Sequence, residues 1–191
     1  MIILEQAKSL RDIVTTLFEQ EEFDTGLKIL ESRKDLPEVI VLECMGNFHF
    51  YKRELQSAIK HYEAAIEKNP EHMIARYQYL IGIQEEKRKN LISAFERYQA
   101  AIGIEPKFVD PYIELGGLLV KVGNFKGAAQ CYRDTIKLLP NDLASHHNLK
   151  AVLAELLADG CEEISNELKN IQAKIEKLED GGAVIPTGHQ W

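Results

Sequence analysis

The chain is organised as pairs of short apolar helical runs separated by polar turns. Three of these pairs end at a proline, Pro70, Pro106 or Pro140, which cannot continue a helix. The turns that divide each pair into two helices are polar or contain glycine, and they lie at residues 52–54, 87–90 and 122–124. The pattern therefore predicts an all-α chain of helical hairpins, and we find no segment with the pattern of a strand.

Counting back from each proline reveals an internal repeat. A small residue lies five positions before the proline, a tyrosine eight, an alanine twelve and a glycine twenty-four. The three sets are Gly46, Ala58, Tyr62, Ala65; Gly82, Ala94, Tyr98, Ala101; and Gly116, Ala128, Tyr132, Thr135. Successive sets are 36 and 34 residues apart. A chance amphipathic helix does not reproduce this spacing, so a structural unit recurs along the chain.

The repeated unit resembles the tetratricopeptide repeat (TPR), which places small residues, an aromatic and an exit proline in this order. The resemblance covers residues 39–72, 75–108 and 109–142, although the family's frequent tryptophan in the first helix is absent. It implies a right-handed α-solenoid, a TPR-like superhelix of antiparallel helix hairpins. The glycines and alanines are expected to let paired helices approach closely, and the tyrosines to fill the space between one hairpin and the next.

Weaker copies of the repeat flank the three clear ones. A degenerate repeat is predicted at about residues 7–38, and a partial one at residues 143–158, so that the repeats together occupy residues 1–158. In the first of these copies Phe23, Gly26 and Leu30 stand in the same register as the second helix of the later repeats.

Residues 159–180 carry apolar residues at alternating steps of four and three. These are Ile164, Leu168, Ile171, Ile175 and Leu178. We expect a C-terminal capping helix that covers the last repeat. The alternative is a short coiled coil with another chain. Paired glycines and a proline predict a flexible tail at residues 181–191, in which Trp191 is either a docking anchor or part of an unordered end.

Composition and motifs give no indication of catalysis. The chain has a net charge of −7, which disfavours a nucleic-acid partner, and the basic run at residues 87–89 is interpreted as a solvated turn flanked by acidic residues. No phosphate-binding loop or nucleophile elbow is present, and the six histidines show no metal-ligand spacing. We therefore predict that the protein is not an enzyme and needs no cofactor or metal.

Three cysteines without close spacing are typical of a reducing compartment. The N-terminal residues lack the features of a signal peptide, and no apolar run is long enough to span a bilayer. These observations predict a cytoplasmic protein without membrane insertion.

The family resemblance implies a concave groove lined by the first helix of each hairpin. In this chain the predicted partner-binding residues are Glu43, Asn47, Phe50, Arg76, Tyr79, Ile83, Asp110, Ile113, Val120 and His147. Only Asn47 and Arg76 fall near the positions with which some family members grip a peptide carboxylate, and nearby acidic residues would repel one. The mixture of apolar and charged groups instead favours an amphipathic helix or a hydrophobic peptide. The alternative is that several of these residues pack between neighbouring repeats.

The sequence therefore predicts a protein–protein interaction scaffold or adaptor. Two other functions remain open at this point: a structural protein that forms homo-oligomers through the C-terminal helix or the repeat ends, and a regulatory subunit of an enzyme on another chain.

Overall fold

The structure is a computed structural model that describes residues 16–17, 22–71 and 74–180. This part of the chain contains helices and turns but no strand, which confirms the all-α prediction. The α-helices are α1 (Phe23–Ser32), α2 (Glu38–Tyr51), α3 (Leu55–Lys68), α4 (Ala75–Lys87), α5 (Leu91–Ile104), α6 (Asp110–Lys121), α7 (Phe125–Leu138), α8 (Leu143–Ala158) and α9 (Ser165–Asp180), and a 3₁₀ turn at Glu162–Ile164 precedes α9.

The chain forms two compact units, residues 1–80 (unit 1) and residues 81–191 (unit 2), and the division falls within α4. In unit 1, α2 packs against α3 and α1 packs against α2. In unit 2, α5 packs on α6, α6 pairs with α7, α7 packs on α8, and α9 packs on α8. Sequential helices thus pair as hairpins in each unit, as the repeat pattern predicts.

Each predicted glycine lies against the predicted tyrosine of its own hairpin. Gly46 on α2 faces the ring of Tyr62 on α3, and Gly116 on α6 faces the ring of Tyr132 on α7. A Cβ atom at Gly116 would lie 2.8 Å from Cε1 of Tyr132, closer than real Cβ contacts permit. The sequence predicted that the glycines allow close packing, but not that the tyrosine of the same hairpin occupies the space.

The turn within each hairpin has one residue in the left-handed region. The φ angles are +62° at Arg53, +65° at Lys89 and +76° at Gly123. These three residues are spaced like the repeats themselves, and each follows the helix end in the position where glycine is favoured. Only the third turn uses glycine, so two hairpins tolerate a long basic side chain in a conformation that L-residues disfavour.

The described part of the predicted first repeat includes α1 and Leu17, and Leu17 is buried with Leu30, Leu36, Cys44 and Phe48 in the core of unit 1. Residues 7–15 and 18–21 of that predicted repeat, and the tail predicted at residues 181–191, lie outside the described residues.

The C-terminal helix α9 is held against the rest of unit 2 by apolar packing and by a charged pair. Ile175 and Leu178 are buried. Arg133 of α7 donates two hydrogen bonds of 2.7 Å to the carboxylate of Glu167 on α9. Two of the five seam residues are therefore buried within this chain.

Adjacent glycines on α6 give a matched test of the packing. Gly116→Ala should destabilise the protein by about 1–3 kcal/mol, because the new methyl group overlaps the Tyr132 ring. Gly117→Ala should stabilise it by about 0.5–1 kcal/mol, because among the described residues no heavy atom beyond the local helix backbone and the two chain neighbours lies within 4 Å of the added Cβ, and alanine is the better helix former. Urea unfolding followed by circular dichroism measures both, and equal effects of the two substitutions would contradict the contact.

The packing of α9 predicts the effect of Ile175→Ala. Loss of a side chain that is 2% exposed should lower the free energy of unfolding by about 2–5 kcal/mol. Light scattering should give the same mass for the variant and the parent protein. A change of mass together with unchanged stability would indicate that the seam contacts another chain.

Candidate partner-binding surface

The residues predicted to line the groove are distributed over the two units, and each unit is described by itself. Those in unit 1 are Glu43, Asn47 and Phe50 on α2, with Arg76 and Tyr79 on α4. Those in unit 2 are Ile83 on α4, with Asp110, Ile113 and Val120 on α6, and His147 on α8.

Two of the aromatic residues are part of the core of unit 1. Phe50 is 2% exposed and Tyr79 is 9% exposed. Their rings pack edge to face, with 6.1 Å between centroids and 70° between ring planes. For these two residues, burial favours the alternative interpretation of packing between repeats over direct contact with a partner.

The polar residues of unit 1 form connected pairs on α2 and α4. The Tyr62 hydroxyl donates a hydrogen bond of 2.7 Å to Oδ1 of Asn47. The Arg76 guanidinium donates one of 3.0 Å to the Tyr51 hydroxyl and stacks over that ring at 5.6 Å. Burial raises the pKa of Tyr62 well above its ordinary value, and the nearby charges of Arg76 and Glu43 act on it in opposite directions. A half-buried polar surface results.

In unit 2, α6 has one face that the described residues cover only in part. Asp110, Ile113, Gly117 and Val120 are three or four residues apart, so they share one side of the helix. A Cβ at Gly117 would meet no heavy atom within 4 Å among the described residues. Val120 is 36% exposed and Ile113 is half-buried. We call these four residues the open face of α6.

Charged groups border the open face. Glu86 of α4 accepts a hydrogen bond of 2.8 Å from the Tyr98 hydroxyl and one of 2.5 Å from Nζ of Lys121. Burial raises the pKa of Glu114, and the negative charges of Glu86 and Asp110 raise it further, while Lys121 acts in the opposite direction. The hydrogen bond to Glu86 raises the pKa of Lys121. The site therefore holds more negative than positive charge.

His147 lies in a different environment from the other predicted groove residues. Its Nε2 atom is 3.3 Å from a carboxylate oxygen of Glu179 on α9. The imidazole is therefore held beside the C-terminal helix, on which the groove prediction placed no residue.

Sequence reasoning missed the role of two tyrosine hydroxyl groups. It assigned Tyr62 and Tyr98 to packing, but their hydroxyls reach Asn47 and Glu86 on the preceding helices. All three repeats use tyrosine rather than phenylalanine at this position, and this feature could have indicated the hydrogen bonds. A buried tyrosine hydroxyl usually has a hydrogen-bond partner.

Two observations on the described residues concern metal binding and thiol reactivity. No group of three or more His, Cys, Asp or Glu side chains among them is arranged to hold a metal ion. Burial raises the pKa of the Cys131 thiol to about 11, which disfavours the reactive thiolate. None of the described helices has both the length and the apolar character needed to cross a membrane.

The chain is similar in fold to solved structures of MamA, a TPR-like protein. MamA from Desulfovibrio magneticus RS-1, residues 41 to the end, has a TM-score of 0.57 and 17% identity, covering 93% of this chain and 97% of that one. The MamA RS-1 ArsTM double mutant has a TM-score of 0.58 and 18% identity, covering 92% and 95%. At such identities the likeness shows the fold alone, and it supports a TPR-like helical repeat.

No protein-family model matches the chain. The mouse protein O-mannosyl-transferase TMTC1 is 26% identical over an alignment of 113 residues, and the match covers 56% of this chain. The chain spans only 12% of the length of that relative.

The environment of Glu114 predicts a pH-dependent effect of Glu114→Gln. A carboxyl group whose pKa is raised on folding destabilises the native state increasingly as the pH rises from the unfolded value of about 4.5 through the raised folded value. The glutamine variant should therefore have a higher Tm than the parent at pH 7 and the same Tm as the parent at pH 3.5. Glu96→Gln on the exposed side of α5 changes the net charge equally and serves as the control. A gain at pH 7 that is equal in the two variants would refute the local explanation.

Proposed function

We propose that this chain is a non-catalytic interaction scaffold that binds a peptide or an amphipathic helix of a partner protein on the open face of α6. The observation that carries the proposal is the difference between two adjacent glycines. Gly116 is packed against Tyr132, whereas Gly117 faces open space. This difference supports a partner-binding role for the side of α6 that carries Gly117, where the apolar groups of Ile113 and Val120 lie on the same face.

The charges around this face define the chemistry of the partner segment. Glu114 is partly buried next to the like charges of Glu86 and Asp110. A lysine or arginine of the partner would relieve that repulsion, and small aliphatic side chains would fill the space beside Ile113 and above Gly117. The proposed segment is therefore an amphipathic one that carries both aliphatic and basic side chains.

Unit 1 would supply a separate polar contact surface. Its members are Glu43, Asn47, Tyr51 and Arg76, all of them half-buried. Arg76 and Tyr51 support each other through stacking and a hydrogen bond, so this surface is pre-ordered for polar recognition. Phe50 and Tyr79 are left out of the proposed contact set because they are buried.

The fold supports a scaffold over an enzyme. Helical repeats bury their cores between neighbouring helices and use exposed helix faces for binding. The similar structures are TPR-like proteins. The transferase relative shares only a small part of its length with this chain, and we propose no transferase activity on that basis. An adaptor role in the cytoplasm completes the proposal.

Self-assembly through α9 has less support. Ile175 and Leu178 of its apolar seam are already buried within unit 2, and Glu167 is held by Arg133. A regulatory subunit of an enzyme would use the same open face, and it is therefore a special case of the scaffold.

The decisive experiment compares Gly117→Arg with Gly117→Ala in affinity capture from native lysate. Arginine places bulk and positive charge on the open face, whereas alanine adds one methyl group to open space. We expect a specific protein to be retained by the parent and by the alanine variant, and its affinity for the arginine variant to fall by at least about a hundredfold.

Circular dichroism should show that both variants keep their helix content. Equal retention of the same protein by both variants would exclude the open face as the binding site. Capture of the chain by itself, with a dimeric mass in light scattering, would favour the self-assembly alternative.

A further inference from the structure

Two aliphatic side chains of unit 2 are exposed where the repeat pattern has polar residues. Ile92 in the first turn of α5 is 80% exposed, and Val122 just after α6 is 52% exposed. Their equivalents in the other clear repeats are Gln56 and Lys126 for Ile92, and Lys52 and Arg88 for Val122. The chain's own repeats therefore show that neither position needs an apolar residue for folding.

Both side chains lie on the same edge of unit 2. The hydrogen bond of 2.5 Å between Lys121 and Glu86 joins the end of α6 to the end of α4. The turns that follow these two helices are therefore neighbours. We call the segments 87–92 and 121–126 the tip edge.

The tip edge is basic, although the chain as a whole is acidic. Its exposed cations are Lys87, Arg88, Lys89, Lys121 and Lys126. The neighbouring carboxylates are already engaged: Glu85 accepts hydrogen bonds of 2.8 Å from Arg88 and from Asn90, and Glu86 is bound by Lys121. Within the described ranges no ion pair involves Lys87, Lys89 or Lys126. Three cations thus remain without an internal counter-charge.

We propose that the tip edge is a peripheral docking site for the surface of an anionic lipid bilayer. Basic side chains with nearby aliphatic groups suit the headgroup region, where the cations meet acidic headgroups and the apolar groups enter the boundary of the acyl chains. A fluid interface accepts protruding side chains in any arrangement. Anchor residues at a protein interface, in contrast, mostly fill matching pockets of the partner.

The test uses the full chain and vesicles of defined composition. Co-sedimentation at 50 mM salt should show binding to phosphatidylcholine vesicles that contain about 30% phosphatidylserine, and none to phosphatidylcholine alone. The affinity should fall steeply at 300 mM salt, because screening weakens the attraction between lysines and headgroups. Failure to bind phosphatidylserine vesicles at low salt would overturn the proposal.

Two variants separate the contributions of charge and apolar contact. Lys87→Gln, Lys89→Gln and Lys126→Gln together should weaken binding on the order of a hundredfold, at about fivefold per lysine. Ile92→Gln with Val122→Gln should weaken it at least about tenfold. The control is Leu139→Gln, which replaces another partly exposed aliphatic residue at the far end of α7 and should leave binding unchanged. An equal loss in this control, or no loss in the other two variants, would contradict the proposal.

A soluble polyglutamate peptide tests whether the ligand is an acidic protein segment instead of a lipid surface. Binding of that peptide as tight as vesicle binding, with the same sensitivity to the lysine variants, would replace the lipid proposal by an acidic protein segment. The Gly117→Arg variant should keep vesicle binding, since Gly117 belongs to the open face of α6. The capture experiment and the vesicle experiment therefore distinguish failure of the partner-binding proposal from failure of the lipid proposal.

Discussion

The contact between a glycine on one helix and a tyrosine ring on the next is the constraint on which each of the three clear hairpins depends. A Cβ at Gly46, Gly82 or Gly116 would overlap the ring of Tyr62, Tyr98 or Tyr132. The ring and the missing side chain together set how closely the two helices approach. Because dense interiors tolerate little extra volume, this spacing also fixes which side of the first helix faces inward.

The same tyrosines determine the polar chemistry at the surface. Tyr62 and Tyr98 are fully buried as rings, yet their hydroxyls bind Asn47 and Glu86 near the exposed side of the preceding helices. The carboxylate of Glu86 is held further by Lys121, which connects two successive turns. Packing and surface electrostatics in this protein are therefore coupled through single side chains, so neither can be altered without affecting the other.

Much of the fold could be predicted from the sequence because its determinants are local and repeated. Glycine, alanine, tyrosine and proline at fixed spacing predicted the hairpins, their turns and the inward-facing residues. The candidate surface was less predictable. Phe50 and Val120 occupy equivalent positions in their repeats, so helical phase predicts the same exposure for both. In the structure Phe50 is buried and Val120 is partly exposed. The difference arises from the neighbouring helix, since Phe50 packs against Tyr79. The contacts of His147 with α9 likewise depend on a helix outside the repeat pattern.

At two of the three left-handed turn positions the chain retains a basic side chain at the cost of stability. Arg53 and Lys89 adopt a backbone conformation that costs an L-residue about 1–2 kcal/mol and that glycine adopts freely, as Gly123 does in the third hairpin. Replacing both residues with glycine is therefore the first change to make for a more stable protein. Each exchange would also remove a cation from a hairpin tip. At either site, one substitution would therefore raise the thermal stability and remove a positive charge from the surface. A protein stabilised in this way would differ most in its surface electrostatics at these two sites.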